Sequence, residues 1–192
     1  MKIIVNYDIL INKKNGLKHD YIPSNLVDVA SRYKDNIKLE EETYQQWKAL
    51  QECVSGKCYV IEVESGYRSY EYQDNILKEI IDEKGEEYAM KAVALPGYSE
   101  HQTGLALDYC VMRDNIFITE NDIDQCEESI YTNSIAHKYG FIVRYPKGKE
   151  SITGYKYEPW HLRYVGIDLA TYLFVNNKTL DEYYEEAENE KS

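Results

Sequence analysis

The stretch SEHQTGLALDY, residues 99–109, constrains the fold more than any other part of the chain. From Gly104 onward it reads as a strand, in which every second side chain shares a face. Leu105, Leu107, Tyr109 and Val111 fall on one face; Gly104, Ala106, Asp108 and Cys110 fall on the other. The first face is core material. The second sets a carboxylate among small neighbours, which leaves room beside the strand. A carboxylate there must be solvated, paired or metal-bound, because an isolated buried charge is too unfavourable. His101, at the far end of the preceding turn, can fold back to meet it. One His and one Asp make half a metal site.

A second segment, YEPWHLRY, supplies His161 with Glu158 three residues before it. Catalytic zinc takes three protein ligands and keeps one position for water. His101, Asp108 and His161 would complete such a set, with Glu158 left unbound as the proton acceptor for that water. An offset of three points to opposite faces of a regular strand, so this reading requires Pro159 to break the geometry locally. The alternative is a His–Asp hydrogen bond in one place and an unrelated surface Glu/His pair in the other. His19, in a polar arm, reads as a surface residue. His137, near a helix C-terminus, is favoured there electrostatically.

Around these motifs the pattern predicts an α+β fold. Residues 1–25 read as an extended arm with turns at Asn15-Gly16 and Pro23. Helical spacing runs through LEEETYQQWKALQECV, and KCYVIEVESGYR is a strand. SYEYQDNILKEIIDEKGEEYAMKAV is helical, with an apolar stripe at Ile76, Leu77, Ile80 and Ile81 and a break at Gly85. LALDYCVMR and FIVRYP are strands, ESIYTNSIAHKYG is a helix stopped by Gly140, and Thr179 caps a final helix. Strands and helices do not alternate regularly, which favours an antiparallel or mixed central sheet with flanking helices over a doubly wound fold.

Length fits a single domain of 192 residues with one substantial core. The net charge of −12 argues against nucleic acid as a partner and against adsorption to anionic lipid. Residues 181–192 hold six acidic side chains and read as a solvated helix end or frayed tail. No apolar run approaches the ~18 residues of a membrane span. The N-terminus lacks a signal-peptide core, so the expected location is the cytoplasm, or the cell-wall side if a leader has been removed. Cys53 and Cys58 could close a small disulfide loop, but free thiols fit a leaderless chain better. The 20 tyrosines suit packing and also a cleft for a polar ligand.

Taken together, GYRSYEYQ, ALPGYSEHQTGLALD and YGFIVRYPKGKESITGYKYEPWHLRYVG resemble, in order and rough spacing, the D-alanyl-D-alanine carboxypeptidases and dipeptidases of the VanY/VanX type. SEHQTGLALD looks like their SxHxxGxAxD signature. The wider group shares a zinc fold with the hedgehog signalling domain. The resemblance covers about Asn6 to about Tyr184. It implies one Zn²⁺ per chain, held by His101, Asp108 and His161, with Glu158 as general acid/base and Arg68 stabilising the oxyanion. It implies that Gln73 and Ser99 line the site near the substrate's terminal residue, and that Tyr98 and Trp160 shape the cleft walls. The substrate it implies is a peptidoglycan stem peptide or precursor losing its terminal D-alanine, with dipeptidase activity left open. The short form resembles cytoplasmic bifunctional enzymes linked to glycopeptide resistance, although exported relatives share every motif and some cleave an L,D bond. A non-enzymatic zinc module and a phage-type endopeptidase are the rival readings.

Overall fold

A computed structural model describes residues 6–190. Met1–Val5, the start of the apolar N-terminal patch, and Lys191–Ser192, the end of the acidic tail, lie outside the described residues. The arm from Asn6 to Asn25 forms no strand or helix, yet it is fastened to the body. Ile11 is buried, and the Leu17 amide donates to the Gly97 carbonyl at 2.7 Å.

Strand β1 (Leu26–Val29) then pairs antiparallel with β2 (Ile37–Glu40). Four-residue strands are too short to show alternation, which is why the pattern did not reveal this hairpin. Helix α1 (Glu41–Ser55) starts where the Glu40 carboxylate accepts from the Thr43 amide at 2.8 Å. It buries Thr43, Trp47, Leu50 and Val54, one helical stripe. Strand β3 (Ile61–Ser65) leads to α2 (Tyr70–Lys84), capped by Ser69 and ended at Gly85, and then to α3 (Glu86–Ala92). Of the apolar stripe on α2, only Leu77 is buried; Ile76 and Ile80 are half-buried because they line a cleft.

The main sheet is built on β4 (Ala106–Arg113), which pairs with β3 on one side and, on the other, with β5 (Ile116–Ile118) and β7 (His161–Tyr164). Strand β6 (Phe141–Val143) adds beyond β7, and every pairing is antiparallel. Between these strands lie α4 (Glu127–Ile135) and the single turn α5 (Glu150–Thr153). Helices α6 (Ile167–Val175) and α7 (Leu180–Asn189) close the chain. The helix α6 escaped the pattern because IDLATYLFV is apolar nearly all round and shows no polar face.

The two faces of the sheet behave as the period-two pattern demands. Leu107, Tyr109 and Val111 of β4, Val63 of β3, and Leu162 and Tyr164 of β7 pack against Trp47, Leu50 and Val54 of α1. Trp47 sits 6.0 Å from Tyr109 and 6.5 Å from Phe141, centroid to centroid; truncating so large a buried ring typically costs about 3–5 kcal/mol. The opposite face carries Ala106, Asp108, His161 and Arg163. A smaller cluster of Ile142, Val165, Ala170, Leu173 and Leu180 seats α6 and α7.

The acidic tail is a solvated helix end only in part: Glu185, Glu186, Glu188 and Glu190 are exposed, but its first turn is tied to the body. Thr179 and Glu182 form a capping box for α7, and Asp181 is buried because Arg144 draws it inward. All four cysteines are free thiols, so no Cys53–Cys58 loop forms. Among the described residues no helix is long and apolar enough to cross a membrane.

Candidate metal centre and active site

Sheet register brings two of the proposed ligands together: Asp108 of β4 lies directly opposite His161 of β7. The third comes from a 3-10 turn, Glu100–Thr103, that ends at Gly104 with φ +71°. A Cβ at Gly104 would lie 2.9 Å from Leu26 Cδ2 and 3.1 Å from the Glu40 amide nitrogen. Glycine therefore serves both the left-handed backbone and the close fit against β2. Gly66, just after β3, has a similar steric role, since a Cβ there would meet the Lys38 carbonyl oxygen at 2.3 Å. Its own carbonyl oxygen faces His101 Nδ1 at 2.7 Å.

His101, Asp108 and His161 offer ligand atoms that all lie within 4.8 Å of one another. His161 Nδ1 meets Asp108 Oδ1 at 2.8 Å, and His101 Nε2 meets Asp108 Oδ2 at 3.2 Å. The carbonyl of Gly66 can only accept, so the His101 proton belongs on Nδ1. That leaves a lone pair on Nε2, buried and without a hydrogen-bond partner, pointing at a carboxylate oxygen. Two electron-rich atoms at that distance call for a cation, and two imidazoles with one carboxylate are a donor set that zinc accepts. The residues present fit a metal ion.

Protonation follows the same geometry. Burial raises the Asp108 carboxyl, but the two histidines outweigh it and hold the group well below the usual carboxylate range. Burial and the Arg68 guanidinium lower His101 to about 4. Burial also acts against the His161 imidazolium, but hydrogen bonding to Asp108 and Glu100 raises it to about 9.

Glu158 sits outside the ligand cluster, in the same cleft of about 400 Å³. Pro159 and Trp160 form a turn before β7, so Glu158 and His161 both line the cleft despite their offset of three. Burial pushes the Glu158 carboxyl up to about 7. Arg68 reaches in from the β3–α2 connection, its Nη2 3.9 Å from Asp108 Oδ2 and its Nε buried without a partner. Gln73 and Ser99, both buried, line the cleft as well. Gln73 Nε2 donates to the Ala94 carbonyl at 2.9 Å, which leaves Oε1 buried and unpaired. Trp160 is part of the wall. Tyr98 is not: its ring packs over Gly16 of the N-terminal arm, where the Leu17–Gly97 hydrogen bond ties arm to loop.

The pattern missed Glu100. It is fully buried, and its Oε1 accepts from Arg144 Nε and Arg163 Nη1, each at 2.8 Å. Burial alone would raise its carboxyl; the two guanidiniums hold it far below the usual range. The available signal was an arginine inside each of two apolar strands, FIVRYP and HLRY. A buried guanidinium demands a carboxylate, and the one beside His101 was unassigned.

An antiparallel sheet that presents a His–Asp–His cluster, with a buried carboxyl and an arginine in one cleft, has the composition of a zinc-peptidase centre. Residues 36–167 match the family model described as VanY, D-alanyl-D-alanine carboxypeptidase. The chain belongs to this family. It is 36% identical over 178 residues to the bifunctional D-Ala-D-Ala dipeptidase and carboxypeptidase VanXYC of Enterococcus gallinarum, covering 92% of each chain. The structure of the LdcB LD-carboxypeptidase superposes with a TM-score of 0.85 at 42% identity, over 92% of this chain and 84% of that one. The vancomycin-resistance D,D-pentapeptidase VanY, in complex with Zn(II), gives 0.79 at 32% identity, over 93% and 98%. The chain spans 59–66% of the length of three other curated relatives it matches.

Proposed function

We propose that the chain is a zinc-dependent carboxypeptidase that hydrolyses the amide bond before the terminal D-alanine of peptidoglycan stem peptides or their precursors. The observation that carries this reading is the convergence of His101, Asp108 and His161 within 4.8 Å, in a cleft that Glu158 and Arg68 also line.

Zinc bound there would supply a Lewis acid and lower the pKa of water to about 7. Glu158, with its carboxyl lifted to about 7, suits a group that takes a proton from the attacking water and returns it to the leaving amide nitrogen. Arg68 lines the cleft with its Nε unpaired, a donor suited to the negative charge that develops on the carbonyl oxygen. The free Gln73 Oε1 and the buried Ser99 hydroxyl offer polar contacts for the terminal residue. Trp160, Tyr145 and Tyr155 line the cleft with rings that limit access of bulk water.

Cleavage of a D,D bond is the primary reading. Cleavage of an L,D bond in a tetrapeptide is the second, favoured by the higher identity and TM-score of the LD-carboxypeptidase structure. Mass spectrometry of products from D-Ala-D-Ala, a pentapeptide and a tetrapeptide, with and without chelator, separates them. Release of free D-alanine from the pentapeptide supports the first; release only from the tetrapeptide supports the second. Cleavage confined to internal bonds would turn the reading to an endopeptidase. A metal-retaining Glu158→Ala variant that released D-alanine at the wild-type rate would end the proposed mechanism, whereas wild-type protein that bound zinc and cleaved none of these peptides would leave a non-enzymatic zinc module.

A further inference from the structure

Among the buried polar atoms near the proposed metal cluster that have no hydrogen-bond partner are Glu100 Oε2 and His161 Nε2. They face each other at 3.5 Å, slightly long for a hydrogen bond. Buried polar groups without partners are rare, so two such atoms in apposition ask for an explanation. His161 directs its other nitrogen, Nδ1, at Asp108. His101 shows the mirror arrangement, with Nδ1 on the Gly66 carbonyl and Nε2 toward Asp108.

We propose that Glu100 is the positioning residue of this centre: it receives the Nε2 proton of His161 and so fixes the ring and tautomer that leave Nδ1 to the metal. The inference rests on the metal-site reading given under Proposed function. Ligating histidines commonly donate their second N–H to a carboxylate or carbonyl, which orients the ring and raises its basicity. Glu100 is itself held from the other side. Its Oε1 takes bonds from Arg144 and Arg163, so the carboxylate cannot rotate away from His161 without breaking two charge-assisted bonds. The arginines are anchored in turn. Arg163 Nη2 donates to the main-chain oxygens of Tyr7 and Ile9, and Arg144 binds Asp181 of α7 and the Ile11 oxygen. The arm and the last helix thereby brace a histidine that neither touches.

The test is zinc affinity by competition with a chromogenic chelator, on the full chain. Glu100→Gln should weaken binding by about 10- to 100-fold. Glu128→Gln is the comparison, because it removes another buried carboxylate from an arginine, Arg113, far along β4. It should stay within about threefold of wild type, whatever it does to stability. If Glu100→Gln also stays within that range, Glu100 only neutralises the arginines and the proposal falls. Because that variant could fail to fold, a second measurement uses the wild-type protein. Nitrogen-15 NMR of the zinc-loaded imidazoles should show the His161 proton on Nε2, exchanging slowly with water. A proton on Nδ1, or zinc on Nε2, overturns the inference. Wild-type protein that binds no zinc would instead overturn the metal-site reading.

Discussion

Replacing Asp181 by Asn should destabilise the protein far more than its place in an acidic helix suggests. Four charged side chains meet under the site: Glu100, Arg144 and Arg163 are fully buried, and Asp181 is 7% exposed. The two carboxylates balance the two guanidiniums. Asp181 Oδ1 accepts from Asn12 Nδ2 at 2.8 Å, and its Oδ2 accepts from Arg144 Nη1 at 2.6 Å. An amide has one oxygen. Whichever way Asn turns, its NH₂ group faces a donor, and the cluster is left with one uncompensated positive charge. Breaking a buried pair in this way costs about 3–5 kcal/mol. At 2–4 °C per kcal/mol for a chain of this size, the melting temperature should fall by roughly 6–20 °C. Thermal unfolding followed by circular dichroism on zinc-free protein measures it. Glu186→Gln, on the same helix but half-exposed and paired only with Lys178, is the control and should cost under about 1 kcal/mol. Equal, small shifts for both variants would refute the claim that a buried ion cluster locks α7.

In zinc-free protein, Glu158→Gln should be stabilising. The folded carboxyl titrates near 7 because of burial, an unfolded glutamate near about 4.3, so folding takes up a proton and stability is lost as pH rises through that window. The variant should gain up to roughly 4 kcal/mol at about pH 8 and nothing at about pH 4; equal gains at both would contradict the burial argument. Arg68→Ala should lower kcat/KM for D-alanine release by about 10²–10³, and a loss below tenfold would remove Arg68 from the reaction. Gly104→Ala places a side chain at φ +71° and against Leu26, and should cost about 1–3 kcal/mol in denaturant unfolding. A loss under about 0.5 kcal/mol would mean that the turn relaxes without strain.

Local pattern was enough where the chemistry is local. Alternation along GLALDYCV separated a core face from a site face, and a charge on the latter drew attention to Asp108. Pro159 has to bend the chain, because an unbroken strand cannot turn Glu158 and His161 to one side. The α+β class followed from irregular alternation of elements. What escaped was long-range or masked by composition. Glu100 meets Arg144 and Arg163 across 44 and 63 residues, so no window of sequence contains the cluster. Asp181 reads as one acid among several in its tail. Ile76 and Ile80 share a helical stripe with Leu77, and period alone cannot tell a wall that faces a cleft from one that faces a core. Tyr98 adjoins the motif in sequence, but its ring turns to the arm, a contact set by tertiary packing.

The arm's acceptors for the buried arginines are main-chain oxygens of Tyr7, Ile9 and Ile11. Any residue type presents the same carbonyl. Substitution along that segment disturbs the packing of Tyr7, Ile9 and Ile11 but leaves the acceptors in place, whereas deletion removes them. The family match begins only at residue 36, beyond the arm, and invites trimming there. A fragment cut there would leave guanidinium donors of both arginines unmet, and an expression boundary chosen by similarity alone would be drawn on the wrong side of them.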